Sequence, residues 1–134
     1  MKITFEVLGK PIGKQRPRMT RTGHVYTPKE TKDYERLIRN SFNNSKPKDW
    51  KVYDGAVYVN IKAFFIRAKS NKMQYCTIKP DIDNIIKSIL DGIQGKDNDS
   101  VIVDDKQVVG VVVEKHFSII DRVVVTVESM EVQP

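Results

Sequence analysis

The chain reads as a single α+β domain, residues 1–134, with a mixed β-sheet packed against two main helices in the order β-α-β-α-β-β. Three observations carry this reading. Apolar residues alternate with polar ones in short runs near the start, middle and end of the chain. Two segments place apolar residues at helical spacing. No repeat, linker or low-complexity stretch divides the chain, and its length suits one core without metal or disulfide staples.

The elements follow in order. Residues 2–8 alternate, with Ile3, Phe5 and Val7 on one face and Thr4 and Glu6 on the other, the pattern of a half-buried strand. Residues 9–23 hold three glycines and two prolines, which predicts a loop. Thr27-Pro-Lys-Glu30 has the form of a capping box with proline at the first helical position. It predicts a helix that buries Tyr34, Leu37, Ile38 and Phe42 and stops at residues 43–47. Residues 56–66 predict a second strand, with Val57, Val59, Ile61, Ala63 and Phe65 inward. Residues 67–79 form a long basic connection, a length common in functional or mobile segments. The second helix carries Ile82, Ile85, Ile86, Ile89, Leu90 and Ile93 on one stripe, with Gly92 and Gly95 closing it. Residues 101–103 predict a short strand. Residues 108–117 and 122–127, both valine-rich, predict an antiparallel pair around residues 118–121.

Composition excludes several classes. With 40% apolar and 30% charged residues the chain is neither disordered nor membrane-spanning, and its first residues lack the apolar core of a secretion signal. The single cysteine, Cys76, cannot form an internal disulfide, which fits a reducing cytoplasm. No His/Cys spacing suggests zinc, and Cys76 reads as incidental. His24 and Trp50 read as a bystander and a packing lid, while Tyr26 and Tyr75 flank the basic loops, where aromatic rings can stack on unpaired bases.

The net charge of +6 is unevenly spread. Residues 7–29 hold six Lys or Arg (Lys10, Lys14, Arg16, Arg18, Arg21, Lys29) and no acid. Residues 55–80 hold five more (Lys62, Arg67, Lys69, Lys72, Lys79), again without acid. Residues 81–105 then carry seven of the seventeen acids against Lys87 and Lys96 alone. Basic stretches attract phosphates whatever the base sequence. An acidic island facing the same polyanion repels it unless a cation lies between them.

Asp81, Asp83, Asp104 and Asp105 have a plain structural explanation. Aspartate caps helices and turns, and Asp83 stands four residues before Lys87, the spacing of an ion pair. A metal-binding explanation rests on other features. A helix needs one N-cap rather than two, and a carboxylate just before a helix can converge with one in its first turn. A bend at residues 104–105 can turn a further carboxylate toward a helix end. Hard oxygen donors of this kind suit Mg²⁺, with Mn²⁺ as a substitute, and such a metal polarises phosphoryl oxygens and acidifies water. An ammonium such as Lys87 can stabilise the charge that develops on a phosphate.

The stretch Lys-Pro-Asp81-Ile-Asp83-Asn84-Ile-Ile-Lys87-Ser-Ile-Leu-Asp91-Gly, joined to Val-Asp104-Asp105-Lys106-Gln107-Val108, resembles the RusA-type Holliday junction resolvases of bacteria and their phages. The early Gly9-Lys-Pro-Ile-Gly-Lys14-Gln-Arg16-Pro-Arg18 is similar to the N-terminal region of that family, so the likeness spans nearly the whole chain. The resemblance implies a RusA-like fold and a homodimeric, Mg²⁺-dependent endonuclease that makes paired symmetric nicks in four-way DNA junctions during recombination and repair. It implies Asp81, Asp83 and Asp105 as metal-holding catalytic carboxylates and Lys87 as the catalytic lysine, with Asp104 a further candidate ligand. Asn84 and Gln107 belong to the same motif as supporting groups. The expected DNA contacts are Lys10, Lys14, Arg16, Arg18, Arg21, Arg67, Lys69, Lys72 and Lys79. Two alternatives stand beside this reading: a metal-dependent nuclease for flaps or forks, and a non-catalytic basic DNA-binding module.

Overall fold

The computed structural model describes residues 1–130, which form one α+β domain. Strand β1 (Lys2–Leu8) is followed by a two-residue ribbon, β2 (Arg18–Met19) with β3 (Val25–Tyr26), and by helix α1 (Lys29–Ser45). Strand β4 (Val57–Ile66) leads through the long connection to helix α2 (Ile82–Ile93). A single 3₁₀ turn (Asp105–Gln107) precedes β5 (Val108–Ser118), and β6 (Arg122–Ser129) completes the sheet. The four long strands lie in the order β1-β6-β4-β5. The ribbon and its turn were not legible in the glycine-rich loop; Gly23 stands at φ 87°, the left-handed backbone such a turn needs.

The antiparallel pair expected of β5 and β6 does not form. β5 runs parallel to β4, and β6 lies on the other side of β4, antiparallel to both β4 and β1. The crossover from β4 to β5 contains α2, the connection a parallel pair requires. Residues 119–121 carry the chain past the end of β4, a step of two inter-strand spacings, or about 10 Å. Asp121 fixes that step. Its Oδ1 accepts the Ile66 N–H at 2.7 Å, and its carbonyl accepts the Gly9 N–H at 3.1 Å. β6 thereby becomes a central strand, and Val123, Val125 and Val127 are fully buried.

Both helices contribute to one core. α1 buries Thr31, Tyr34, Ile38 and Phe42, while Leu37, expected on that face, is 40% exposed. The capping box is absent: Pro28 is the N-cap, and no side chain caps the helix. Glu30 instead accepts Gln15 Nε2–H at 2.9 Å, and Thr31 Oγ1 accepts the Gln15 amide, so the first turn of α1 holds the preceding loop. α2 buries Ile85, Ile89 and Ile93 and leaves Ile82 40% exposed. Gly92 lies within α2 rather than ending it. A Cβ there would stand 2.8 Å from Ile38, so the glycine lets the two helices approach. Trp50 is a packing lid, its ring edge-on to Phe42 and its Nε1–H donated to the Ser100 carbonyl at 2.9 Å.

After α2 the chain folds back on the end of the helix. The Val101 and Ile102 amides both reach the Ile93 carbonyl, and Ile102 bridges to Tyr53 and Gln94 in place of an independent strand. Val101 and Ile102 are fully buried, and this return delivers Asp104 and Asp105 to the C-terminal end of α2.

Candidate active site

Asp81 and Asp83 stand at the start of α2, beside the N-terminal basic loop. The Lys14 amide donates to the Asn84 carbonyl at 2.9 Å. A Cβ on Gly13 would lie 2.7 Å from Pro80 Cβ and 3.0 Å from Asn84 Cβ, so glycine is what lets the loop sit this close. The result is an open groove of about 510 Å³ lined by Lys14, Gln15, Arg16, Pro17, Arg18, Asp81, Asp83 and Asn84. A second groove of about 530 Å³ continues past Lys10, Lys79 and Pro80 to Asp81. Acidic island and basic loop therefore line the same grooves.

Neither the capping bond nor the ion pair forms at this end of α2, although Asp83 stays in the first turn, where its charge complements the helix dipole. Asp81 occupies the N-cap position with extended backbone (φ −66°, ψ 154°), yet its side chain makes no capping bond. Asp83 and Lys87, four residues apart, form no salt bridge among the described residues. All three side chains are exposed. Asp83 and Lys87 share one stripe of the helix, so carboxylate and ammonium face the same solvent. Their charges remain available to a ligand.

The opposite end of α2 is organised differently. Asp104 caps the 3₁₀ turn, its Oδ1 accepting the Lys106 amide at 2.9 Å. Gln107 uses both ends of its amide. Its Oε1 accepts the Val103 and Asp104 amides at 2.9 Å each, and its Nε2 donates to the Tyr53 and Gly55 carbonyls at 2.8 and 2.9 Å. Asp105 is held through its main chain, whose amide donates to Gln94 Oε1 at 3.1 Å. Its carboxylate makes no hydrogen bond or ion pair among the described residues. The turn thus divides the two adjacent aspartates: Asp104 is a cap, and Asp105 keeps its carboxylate unspent.

The three candidate carboxylates do not form a preassembled cluster. Among the described residues no group of three or more His, Cys, Asp or Glu side chains is placed to hold a metal ion. Asp81 and Asp83 open a helix of twelve residues, about 18 Å long, and Asp105 is anchored beside its far end. The donor chemistry still suits a hard cation. Mg²⁺ commonly uses one or two carboxylates and completes its shell with water and substrate phosphate. Asp81 and Asp83 supply such a pair.

The cationic residues divide as well. Lys10, Arg16, Arg18, Arg21, Lys69, Lys72 and Lys79 are exposed and enter no salt bridge among the described residues. Lys14 is part of the scaffold. Its Nζ lies 2.8 Å from Glu35 Oε1 on α1 and 3.0 Å from Asp91 Oδ2 on α2. Desolvation lowers the Lys14 pKa, but the hydrogen bonds to Glu35 and Asp91 outweigh it and leave the pKa raised. Arg67 shapes the connection that follows β4, its guanidinium 3.9 Å from the Phe117 ring centroid and bonded to the Met73 carbonyl. Tyr26 and Tyr75 are exposed, His24 lies in the turn between β2 and β3, and Cys76 is buried. Sequence reading named Asp91 only as part of the family-like stretch and missed Gln94 as a member of the site's framework. A further signal for Asp91 was that it follows Lys87 by four residues on the same helical stripe.

A single α+β domain thus sets unbonded carboxylates at the start of a helix beside a cationic loop. The comparisons make the class specific. The family model for endodeoxyribonuclease RusA matches residues 9–128, and the chain belongs to that family of DNA-cleaving enzymes. The chain is also similar to the uncharacterized protein YqaN of Bacillus subtilis (strain 168), 28% identical over a 143-residue alignment that covers 96% of each chain. No described helix is long and apolar enough to cross a membrane.

Proposed function

We propose that the protein is a Mg²⁺-dependent endonuclease that resolves four-way DNA junctions. The observation that carries this reading is the pair Asp81 and Asp83, exposed and without cap bond or ion pair, sharing a groove with Arg16 and Arg18 in a RusA-family chain. In this proposal Asp81 and Asp83 hold the ion against a DNA phosphate, water and phosphate oxygens complete its shell, and Mn²⁺ substitutes for Mg²⁺, while Asp105, anchored beside the far end of α2, does not share that ion in the described arrangement. When bound, such an ion polarises a phosphoryl oxygen and acidifies a water. Lys87, one turn beyond Asp83, faces the charge that develops on the phosphate or on the departing oxygen. Lys10, Arg16, Arg18 and Lys79 line the two grooves, and Arg21, Lys69 and Lys72 extend the cationic surface along the backbone. Asn84 receives the loop through its main-chain carbonyl, and Gln107 builds the Asp104–Asp105 turn through its side-chain amide.

A four-way junction with two-fold symmetry needs two cuts, and a C₂ homodimer supplies two equivalent sites, so the proposed working form is a dimer acting in recombination and repair. The test is cleavage of a mobile four-way junction beside flap, fork, duplex and single-strand DNA, with Mg²⁺ or with chelator. Junction cleavage by paired symmetric nicks is expected, lost in chelator and in Asp81→Asn and Asp83→Asn. Cleavage of flaps or forks with the junction left intact would replace the junction assignment. Salt-sensitive binding with no cleavage of any substrate would reduce the protein to a DNA-binding module.

A further inference from the structure

We propose that the β2–β3 ribbon is a branch-point wedge, with Met19 and Val25 seated against base faces that a four-way junction leaves open. The inference rests on the nuclease reading above and adds to it how a branch is told from a duplex.

The ribbon draws its order from its own turn. The Thr20 amide donates to the His24 carbonyl at 2.8 Å, the Gly23 amide to the Thr20 carbonyl at 3.0 Å, and the His24 amide to Thr20 Oγ1 at 3.1 Å. All four strand residues are nevertheless exposed, so the ribbon adds nothing to the core. Its register pairs Arg18 with Tyr26 and Met19 with Val25. Residues directly opposite share a face, and successive residues alternate between faces. One face therefore carries Arg18 and Tyr26, and Arg18 lines the groove that holds Asp81 and Asp83. The other carries Met19 and Val25, 68% and 66% exposed. An ordered element that presents apolar side chains to water is already shaped for a ligand and loses little freedom on binding one.

Charge selects the occupant. Arg16, Arg18 and Arg21 are exposed around the apolar pair and enter no salt bridge among the described residues. Residues 7–29 contain no acid to balance them. A second copy docked on this face about a two-fold axis would set these arginines against their own counterparts. A phosphate backbone satisfies them. Within that polyanion the apolar pair needs apolar surface, which only the base faces offer. Duplex stacking covers those faces, and exposing them costs least where bases are already unpaired. Apolar side chains, methionine among them, are the type that inserts between base steps. The wedge thus takes the open base faces of a branch, while Arg18 on the opposite face keeps the adjoining phosphate at the groove.

The test is the fluorescence of 2-aminopurine placed at the branch point of a four-way junction, with the full chain added in chelator so that binding is read without cleavage. Unstacking brightens this base. The wild-type protein is expected to raise the signal at the branch and not within an arm. The double variant Met19→Ser, Val25→Ser is expected to lose that rise, together with roughly tenfold of the preference for junction over duplex, the scale of withdrawing one such apolar contact. Met19→Leu should keep both. Arg21→Gln should weaken junction and duplex binding alike and leave the preference unchanged. A wild-type rise and preference in the double variant would overturn the wedge, as would a silent probe with the wild-type protein. Sedimentation of the double variant without DNA tests the other occupant: an unaltered assembly supports the wedge, and loss of a dimer would give this face to a second copy and overturn it. If the double variant fails to fold, Met19→Ser is read alone by the same criteria. Failure of the nuclease reading is separate: the wild-type protein would cleave no branched DNA with Mg²⁺, while the branch-point signal would still report the wedge.

Discussion

The two ends of α2 treat their acidic residues in opposite ways. At the start, Asp81 and Asp83 have the positions of a cap and an ion-pair partner, and neither makes the bond its position offers. At the far end, Asp91, Gln94, Asp104 and Gln107 all hold side-chain hydrogen bonds, while the Asp105 carboxylate makes none among the described residues. Identical residue types thus serve as unspent charge in one place and as scaffold in the other. Unspent polar groups on an ordered element are what a ligand can use. Satisfied ones hold the element in place.

The largest expected effect separates the ends by activity. Asp81→Asn and Asp83→Asn should each cut junction cleavage by about 10²–10³-fold, the scale of removing one group that stabilises transition-state charge. Junction binding in chelator should persist or tighten, because a charge facing phosphate is removed. Folding stability should stay within about 0.5 kcal/mol, as these exposed side chains make no hydrogen bond or ion pair among the described residues. Equal losses of activity and stability would erase the contrast.

Gln107→Ala should do the reverse and destabilise the fold by about 2–3 kcal/mol, because it strands donors and acceptors around Tyr53 and Asp104. The midpoint of urea unfolding measures this. Asp104→Ala should cost about 1 kcal/mol, the usual loss of a cap.

The smallest effect concerns pH. Burial pushes the Tyr34 hydroxyl up to about 12, partly opposed by the Ile12 backbone, and Lys14 is also raised. Both groups hold their protons more tightly folded than unfolded. Their contribution is complete below about pH 10 and is lost as pH rises through the folded values. Stability should therefore decline above pH 10, less steeply in Tyr34→Phe. That substitution should be nearly neutral at pH 7, since the buried hydroxyl meets no partner of full hydrogen-bond geometry. A flat profile between pH 9 and 11 would contradict this.

Local features were legible in the sequence. Val57 to Phe65 alternate as the strand that forms, Ile85, Ile89 and Ile93 mark the buried face of α2, and the charge census placed an acidic segment among basic loops. Partner choice was not legible. Residues 108–117 and 122–127 are both valine-rich with a short connection, and nothing local shows that β4 lies between them. That arrangement depends on the crossover through α2 and on Asp121, whose partners Gly9 and Ile66 are distant in sequence. The same holds within the site. Lys14 reads as one more loop cation until α1 and α2 set Glu35 and Asp91 around it. Leu37 fits the helical stripe but lies at its margin and stays exposed.

The most direct test pairs one aspartate from each end in the same assay, Asp83→Asn against Asp104→Ala, on a mobile four-way junction with Mg²⁺ at saturating protein. Asp83→Asn is expected to bind the junction and not cut it, while Asp104→Ala cuts it with a lowered melting temperature, the loss of its cap. Cleavage retained by Asp83→Asn and abolished in a folded Asp104→Ala would contradict the contrast between the two ends of α2.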